Sequence, residues 1–322
     1  MKRFGLNSGY IGVDRRRNET GIAPLQKAYL ERIRGGNYIP VFPDPPSAAF
    51  LLDTNPGASV AYSLRRLSST YAGSAIRVRR SSDNTEQDIG FSGGVLDTAS
   101  LLSFCGAGDG YVTTWYDQSG FNLDVTQTTA AAQPQVCSSG SVILLNGVPS
   151  VQFDGSNDYL DGGNVLDIGT NSFTSFSLVN VNSSGNESCI YSKGELGVAN
   201  NKYALFRQGS NLNSFLYTTD VDKSAVVGFP PPYTKLLTVK ITRGNSNTLF
   251  SNGSQIATNS TVGNYTMNSA FEFLVGAYGG GFFTPTTFHL DGNISELIIY
   301  LSDQTANQTA IESNIDAYYN IY

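Results

Sequence analysis

From residue 141 onward, hydrophobic and polar positions alternate in short runs that recur about every ten residues. Stretches 141–145, 150–153, 172–181, 202–208, 214–219, 235–243, 248–251, 270–276 and 293–301 carry either a period-two pattern or the continuous apolar run of a buried strand. Asn146-Gly147, Asp154-Gly155, Ser184-Gly185, Asn252-Gly253 and Asp291-Gly292 punctuate them. Such dipeptides adopt the positive φ that tight turns require. Strands at this spacing, with no helical pattern between them, predict a sandwich or barrel. At 307–319, Ile311, Ile315 and Tyr318 fall on one helical face and predict a short helix.

Upstream the pattern changes twice. Residues 70–80 alternate around Ile76 and Val78 and predict a half-buried strand, 51–57 reads as a strand or turn, and 60–67 as a short amphipathic segment. Residues 22–33 place Leu25, Tyr29 and Ile33 at i, i+4 and i+8, and Gly35-Gly36 stops that helical stretch. Pro40, Pro43, Pro45 and Pro46 then enforce an extended, semi-rigid spacer. The predicted organisation is an extended and helical arm over 1–46 followed by an all-β domain over 47–322.

Composition sharpens this picture. A chain of 322 residues, 40% hydrophobic and 14% charged, can bury a core and is poor in the Lys and Glu that long surface helices use. The net charge of −6 conceals an asymmetry: residues 1–40 hold eight basic and three acidic side chains, a balance of +5 that leaves −11 for the remainder. A basic arm on an acidic body predicts docking to a partner through Arg15, Arg16 and Arg17 and the Leu25, Tyr29, Ile33 stripe. The acidic body argues against nucleic acid as ligand. No apolar run approaches the length of a membrane span, and the first 20 residues lack the apolar core of a signal peptide. Cys105, Cys137 and Cys189 cannot all pair, and their spacing fits no zinc site; they are expected as free thiols of a chain folded inside a cell.

Two stretches resemble known families. Ala61-Tyr-Ser-Leu-Arg-Arg-Leu67, Arg77-Val-Arg-Arg-Ser-Ser-Asp83, Asp88-Ile-Gly90, Leu96-Asp-Thr98, Phe104-Cys105 and Trp115-Tyr-Asp-Gln-Ser-Gly120 together resemble the N-terminal part of the arabinofuranosidase B catalytic domain. Val151–Leu160, Phe250-Ser-Asn-Gly253 and Gly292–Tyr300 look like a laminin-G or concanavalin A-like sandwich. The second resemblance implies a fold class, an all-β concanavalin A-like jelly roll, and says little about activity. The first implies a retaining glycosidase with two carboxylates about 5 Å apart. It puts the acid/base in a Gly-rich turn after a late strand, and the matching turn, Gly276–Gly281, has no carboxylate. It puts the nucleophilic glutamate on a mid-domain strand, where Asp220 and Asp222 are the nearest candidates. A vicinal Cys-Cys pair that the family carries is absent.

Other features give weaker signals. Trp115, Tyr116, Asp117 and Tyr278 are candidates for gripping a glycan, although Asp117 and Ser119 equally suit a turn closed on its own backbone. Glu296 is a catalytic candidate if it faces a cleft. His289, the one histidine, lacks neighbours at ligand or triad spacing. Asp154, Asn157, Asp158 and Asp161 could hold calcium, but off the 1-3-5 spacing of a dedicated loop; no cofactor and no other metal are expected.

The expectation drawn from all this is a non-enzymatic virion surface protein, a head decoration, fibre or tail component of a bacterial virus. It is made in the host cytoplasm and held to other virion proteins by residues 1–46. Its sandwich would face outward toward cell-surface glycan, in a symmetric homo-oligomer and without a membrane. One alternative is an extracellular glycoside hydrolase of arabinofuranosidase type with relocated carboxylates, for which two of Asp220, Asp222, Glu272 and Glu296 should face each other. The other is a purely structural capsid cement.

Overall fold

The computed structural model describes residues 50–182, 187–194, 201–218, 221–279 and 288–322. The arm, with Arg15, Arg16, Arg17, Leu25, Tyr29 and Ile33, lies outside the described residues, as do Asp220, Gly280 and Gly281. The principal elements in chain order are α1 (Leu51–Thr54), β1 (Val60–Ser63), β2 (Ile76–Arg80), β3 (Glu86–Ile89), α2 (Thr98–Cys105), β4 (Gly110–Trp115), β5 (Gln135–Ser138) and β6 (Val151–Asp154). Then follow β7 (Phe173–Val181), β8 (Glu187–Lys193), β9 (Lys202–Gln208), β10 (Asn211–Thr218), β11 (Tyr233–Thr242), β12 (Ser246–Ser251), β13 (Ser254–Asn259), β14 (Phe273–Val275), β15 (Asp291–Tyr300) and α3 (Gln308–Tyr319). The predicted all-β class holds, with α3 where the period predicted it. Residues 51–54 form a helical turn, and 60–63 form a strand.

Two antiparallel layers make a sandwich. The first runs β13-β12-β11-β7-β15, and the far edge of β15 takes β1 on Glu296–Ile299 and β6 on Asp291–Ile294. The second runs from β14 through β8 and β9 to β10. β4 joins them, pairing with β5 and so with β6 on one side, and through Val125–Thr126 and Leu160–Asp161 with β14 on the other. β2 and β3 extend the sheet beyond β4. Between the layers Phe173 of β7 meets Tyr203 of β9 at 5.0 Å between ring centroids and Tyr191 of β8 at 6.2 Å.

β7 and β15 are buried along nearly their whole length because both faces of the first layer are covered. On β7 alternate residues divide between two cores: Phe173, Val179 and Val181 enter the sandwich, while Phe176 and Leu178 meet the C-terminal helix. α3 presents Ile311, Ile315, Tyr318 and Tyr319 to that outer face, against Ile298, Tyr300, Leu236 and the α1 residues Leu51 and Leu52. A helix of 12 residues is marginal alone, so this apolar stripe holds it in place. Asn320, with φ of 51°, ends it in the left-handed conformation that Asn tolerates.

Under α3 lies a buried ion pair. Arg65 donates from Nε and Nη2 to Glu296 Oε2 and Oε1 at 2.8 and 2.9 Å, and Ser63 Oγ and Tyr319 Oη also donate to that carboxylate. The Arg65 guanidinium stacks on Tyr318 at 4.9 Å. Burial disfavours its charge, yet Glu296 holds it above the ordinary arginine value. Glu296 thus fastens the helix and β1 to the sheet.

Candidate active-site cleft

β6 ends at Asp154 with a tight turn that returns on itself. Asp154 Oδ1 accepts from Ser156 N and Asn157 N at 2.8 and 3.2 Å, the local bonding that makes Asp a turn former. Gly155, at φ of 76°, packs so closely on β15 that a Cβ there would stand 2.7 Å from Asp291 Cβ. The turn then delivers Asp158, whose Oδ2 accepts from Asp154 N at 3.0 Å. Asp291 lies directly opposite Asp154 in the β6–β15 ladder, where cross-strand Cβ atoms sit about 4.5–5.5 Å apart. Asp154 and Asp158 therefore meet at one sheet end, with Asp291 across the ladder from Asp154.

They line a cleft of about 740 Å³ whose other wall is Arg79 of β2, Tyr111 of β4, Gln133, Gln135 of β5 and Gln152 of β6. Arg79 lies over the Tyr111 ring at 4.9 Å and donates to Gln133 Oε1 at 2.6 Å, to Asn84 Oδ1 at 2.8 Å and to the Ala130 carbonyl at 3.1 Å. Asp158 is only 6% exposed. Burial, and then the negative charge of Asp154, push its carboxyl up to about 7, against the bond from Asp154 N. One acid is thus still substantially protonated near neutral pH beside a second carboxylate, a division of labour suited to proton transfer. Gln133 is held inside the wall, accepting from Arg79 and donating to the Gln127 carbonyl, and the Gln135 amide donates to the Cys137 carbonyl, which leaves the Gln135 Oε1 and the Gln152 amide to face hydroxyls.

The residues singled out from sequence sit elsewhere. Glu296 is the buried structural acid described above. Asp222 accepts from Ser224 N at 2.8 Å, and Glu272 is exposed; no hydrogen bond or ion pair joins any two of Asp222, Glu272 and Glu296. Trp115 is fully buried against Tyr62. Asp117 accepts from Ala61 N, Ser119 N, Ser119 Oγ and Leu123 N at 2.6–3.2 Å, closing the turn on its own backbone. Gln118 clamps the same segment, accepting from Leu67 N and donating to the Ser63 and Arg65 carbonyls. Tyr116, Ser119 and Gly120 of that motif line a second cleft with Tyr71, Asp88 and Asp124, and the Tyr116 hydroxyl donates to Asp88 at 2.8 Å.

The Gly-rich turn is apolar where it is described. Tyr278 is buried and meets Phe206, Phe215 and Phe288 edge-on at 5.7–6.4 Å. Ala204, Phe206, Phe215 and Cys189 complete this cluster over β8, β9 and β10. As for calcium, Asp161 accepts from Gly163 N and pairs with β14, and no group of three His, Cys, Asp or Glu side chains could hold a metal among the described residues. His289 Nδ1 lies 3.3 Å from the Asp158 carbonyl, at the cleft but against backbone.

Sequence reasoning missed this cleft. Asp154-Gly155 was legible as a turn and Asp158 as a loop acid, whereas Asp291-Gly292, expected as a turn, opens strand β15, and its meeting with Asp154 depends on pairing across 137 positions in the ladder.

Residues 52–155 match the family described as alpha-L-arabinofuranosidase B, catalytic. Among solved structures, a GH54 α-L-arabinofuranosidase soaked with a cyclic sulfate inhibitor matches at TM-score 0.60 and 16% identity. An arabinofuranosidase complexed with arabinofuranosyl-α-1,2-xylobiose matches at 0.58 and 18%. Each match covers 84% of this chain and 64% of the other, so the chain spans less than two thirds of their length. No curated protein matches the sequence. The expectation of a non-enzymatic virion surface protein is corrected by the match of residues 52–155 to an arabinofuranosidase catalytic family, which favours the enzyme alternative that the Ala61–Gly120 motifs had raised; the solved structures show a shared fold.

Proposed function

We propose that the chain is a glycoside hydrolase of arabinofuranosidase type, acting on arabinofuranosyl side groups of a polysaccharide through relocated carboxylates. The match of residues 52–155 carries the reading, because that segment supplies Asp154 and the opposite wall of the cleft: Arg79, Tyr111, Gln133, Gln135 and Gln152. Asp158 serves as the acid that protonates the departing glycosidic oxygen. Asp154, whose Oδ2 is not engaged by the turn, faces the anomeric carbon, and Asp291 stands beside it across the ladder. Gln135 and Gln152 orient the sugar hydroxyls, and the position of Asp158 below the surface keeps its proton available near neutral pH.

The test is release of arabinose from arabinofuranosyl-α-1,2-xylobiose by the purified chain, a substrate whose sugar leaving group needs protonation to depart. Activity should fall as pH rises through about 7, when Asp158 loses its proton, and Asp158→Asn should lower the rate by about 10²–10⁴-fold. Binding of the arabinoside without any release, or release that Asp158→Asn leaves intact, overturns the assignment.

A further inference from the structure

We propose that Cys105 and Cys137 are the two halves of a disulfide, formed when the domain meets an oxidant of the disulfide class such as oxidised glutathione. Three cysteines in the sequence leave any pairing undefined, but the fold selects one pair. Cys105 is the last residue of α2, and Cys137 lies on β5 opposite Gly110, the first residue of β4. Both cysteines close over the bare Cα of that glycine. A Cβ at Gly110 would stand 2.6 Å from Cys105 Sγ and 3.2 Å from Cys137 Cβ. The missing side chain is what admits the sulfur of the helix end into reach of the strand.

Cys189 stands apart: it is buried in the aromatic cluster of β9 and Tyr278 and donates to the Tyr191 carbonyl at 3.3 Å.

The exchange balances in two steps. The Cys137 thiolate attacks one sulfur of the oxidant, whose S–S bond breaks and releases one thiol. Cys105 gives its proton to solvent and attacks the Cys137 sulfur of the mixed disulfide, releasing the second thiol. Two protein thiols are oxidised and the oxidant is reduced to two thiols. Cys105 is 4% exposed and Cys137 0%, so exchange proceeds while α2 is undocked, and the finished bond is shielded from reductant. The cross-link ties the helix to β5 two residues from Gln135, bracing one wall of the acidic cleft.

The experiment uses the full chain, equilibrated with oxidised and reduced glutathione, quenched with an alkylating agent in denaturant, and mapped by non-reducing peptide mass spectrometry. One intramolecular bond joining the Cys105 and Cys137 peptides is expected, with Cys189 alkylated. The melting temperature should rise by about 5–10 °C and return when the bond is reduced. Cys105→Ser and Cys137→Ser should each remove that shift, and Cys189→Ser should keep it. Should the serine variants fail to fold, the peptide map of the unaltered chain decides alone. Alkylation or glutathionylation of both Cys105 and Cys137, a bond to Cys189, or a bond only between chains overturns the proposal.

Discussion

Replacing Asp158 with Asn separates its charge from its shape. The native carboxyl titrates at about 7, the unfolded one at the ordinary 3.8. Between these values the native state holds a proton that the unfolded chain has released. The resulting stability is fully present below about pH 3.8 and is lost as pH rises through about 7. A shift of about three units corresponds to about 4 kcal/mol at 1.36 kcal/mol per unit. Relaxation and water at the cleft reduce this to about 2–4 kcal/mol. Asn keeps an oxygen for the Asp154 amide and never ionises, so Asp158→Asn should match the parent at about pH 3 and exceed it by that amount at pH 8. Urea denaturation at both pH values reads the difference directly, and a thermal scan at pH 8 should show a gain of about 5–10 °C. Parallel curves for parent and variant across pH 5–8, or a variant weaker at pH 8, would refute the claim that Asp158 is a buried, charge-crowded acid.

Three further substitutions probe the frame around the cleft. Glu296→Gln strands the Arg65 charge beneath α3 and should cost about 3–5 kcal/mol in urea, whereas replacing both partners with apolar residues should recover most of it; a loss under 1 kcal/mol would mean that the pair is solvated. Asp117→Ala leaves the amides of Ala61 and Leu123 without acceptors and should cost about 2–4 kcal/mol, with no change in arabinoside binding measured by calorimetry. Gly292→Ala puts a Cβ 2.0 Å from the Asn180 carbonyl oxygen and should cost at least about 2 kcal/mol by forcing β7 and β15 apart, visible as a lowered melting temperature.

Much of the β domain was legible because its strands obey local rules. Residues 172–181 and 293–301 announced β7 and β15 within a residue or two of their ends, and Asn252-Gly253 marked the β12–β13 turn. β8 and α2 escaped. Glu187–Lys193 has no alternation because it is buried on both faces, and Thr98–Cys105 is short, with its start set by the Asp97 side chain accepting from Ser100 N at 3.0 Å. Strand pairing lay beyond local pattern altogether. That β1 and β6 share one edge of β15 follows from the register, and nothing within either strand encodes it.

The same limit explains why the sequence steered toward carboxylates other than those of the cleft proposed above. A resemblance transfers positions along the chain, so it led to Asp220, Asp222 and the Gly-rich turn. The described part of that turn packs Tyr278 among Phe206, Phe215 and Phe288, a setting in which a carboxylate would be costly to ionise. Chemistry instead follows from where charges are forced together, and the fold forces them together at the end of the β6–β15 ladder. Asp154 and Asp158 are brought close by a four-residue return, and Asp291 by a register that Gly155 makes possible, since any side chain there would collide with it. A larger residue at 155 should therefore do more than strain a turn: by pushing Asp291 away it should open the carboxylate cluster. Gly155→Ala is expected to lose arabinoside hydrolysis by a larger factor than Asp291→Asn, which leaves the turn and its register in place. Equal losses in the two variants would show that the register, and with it the crowding of Asp154 and Asp158, is set somewhere other than Gly155.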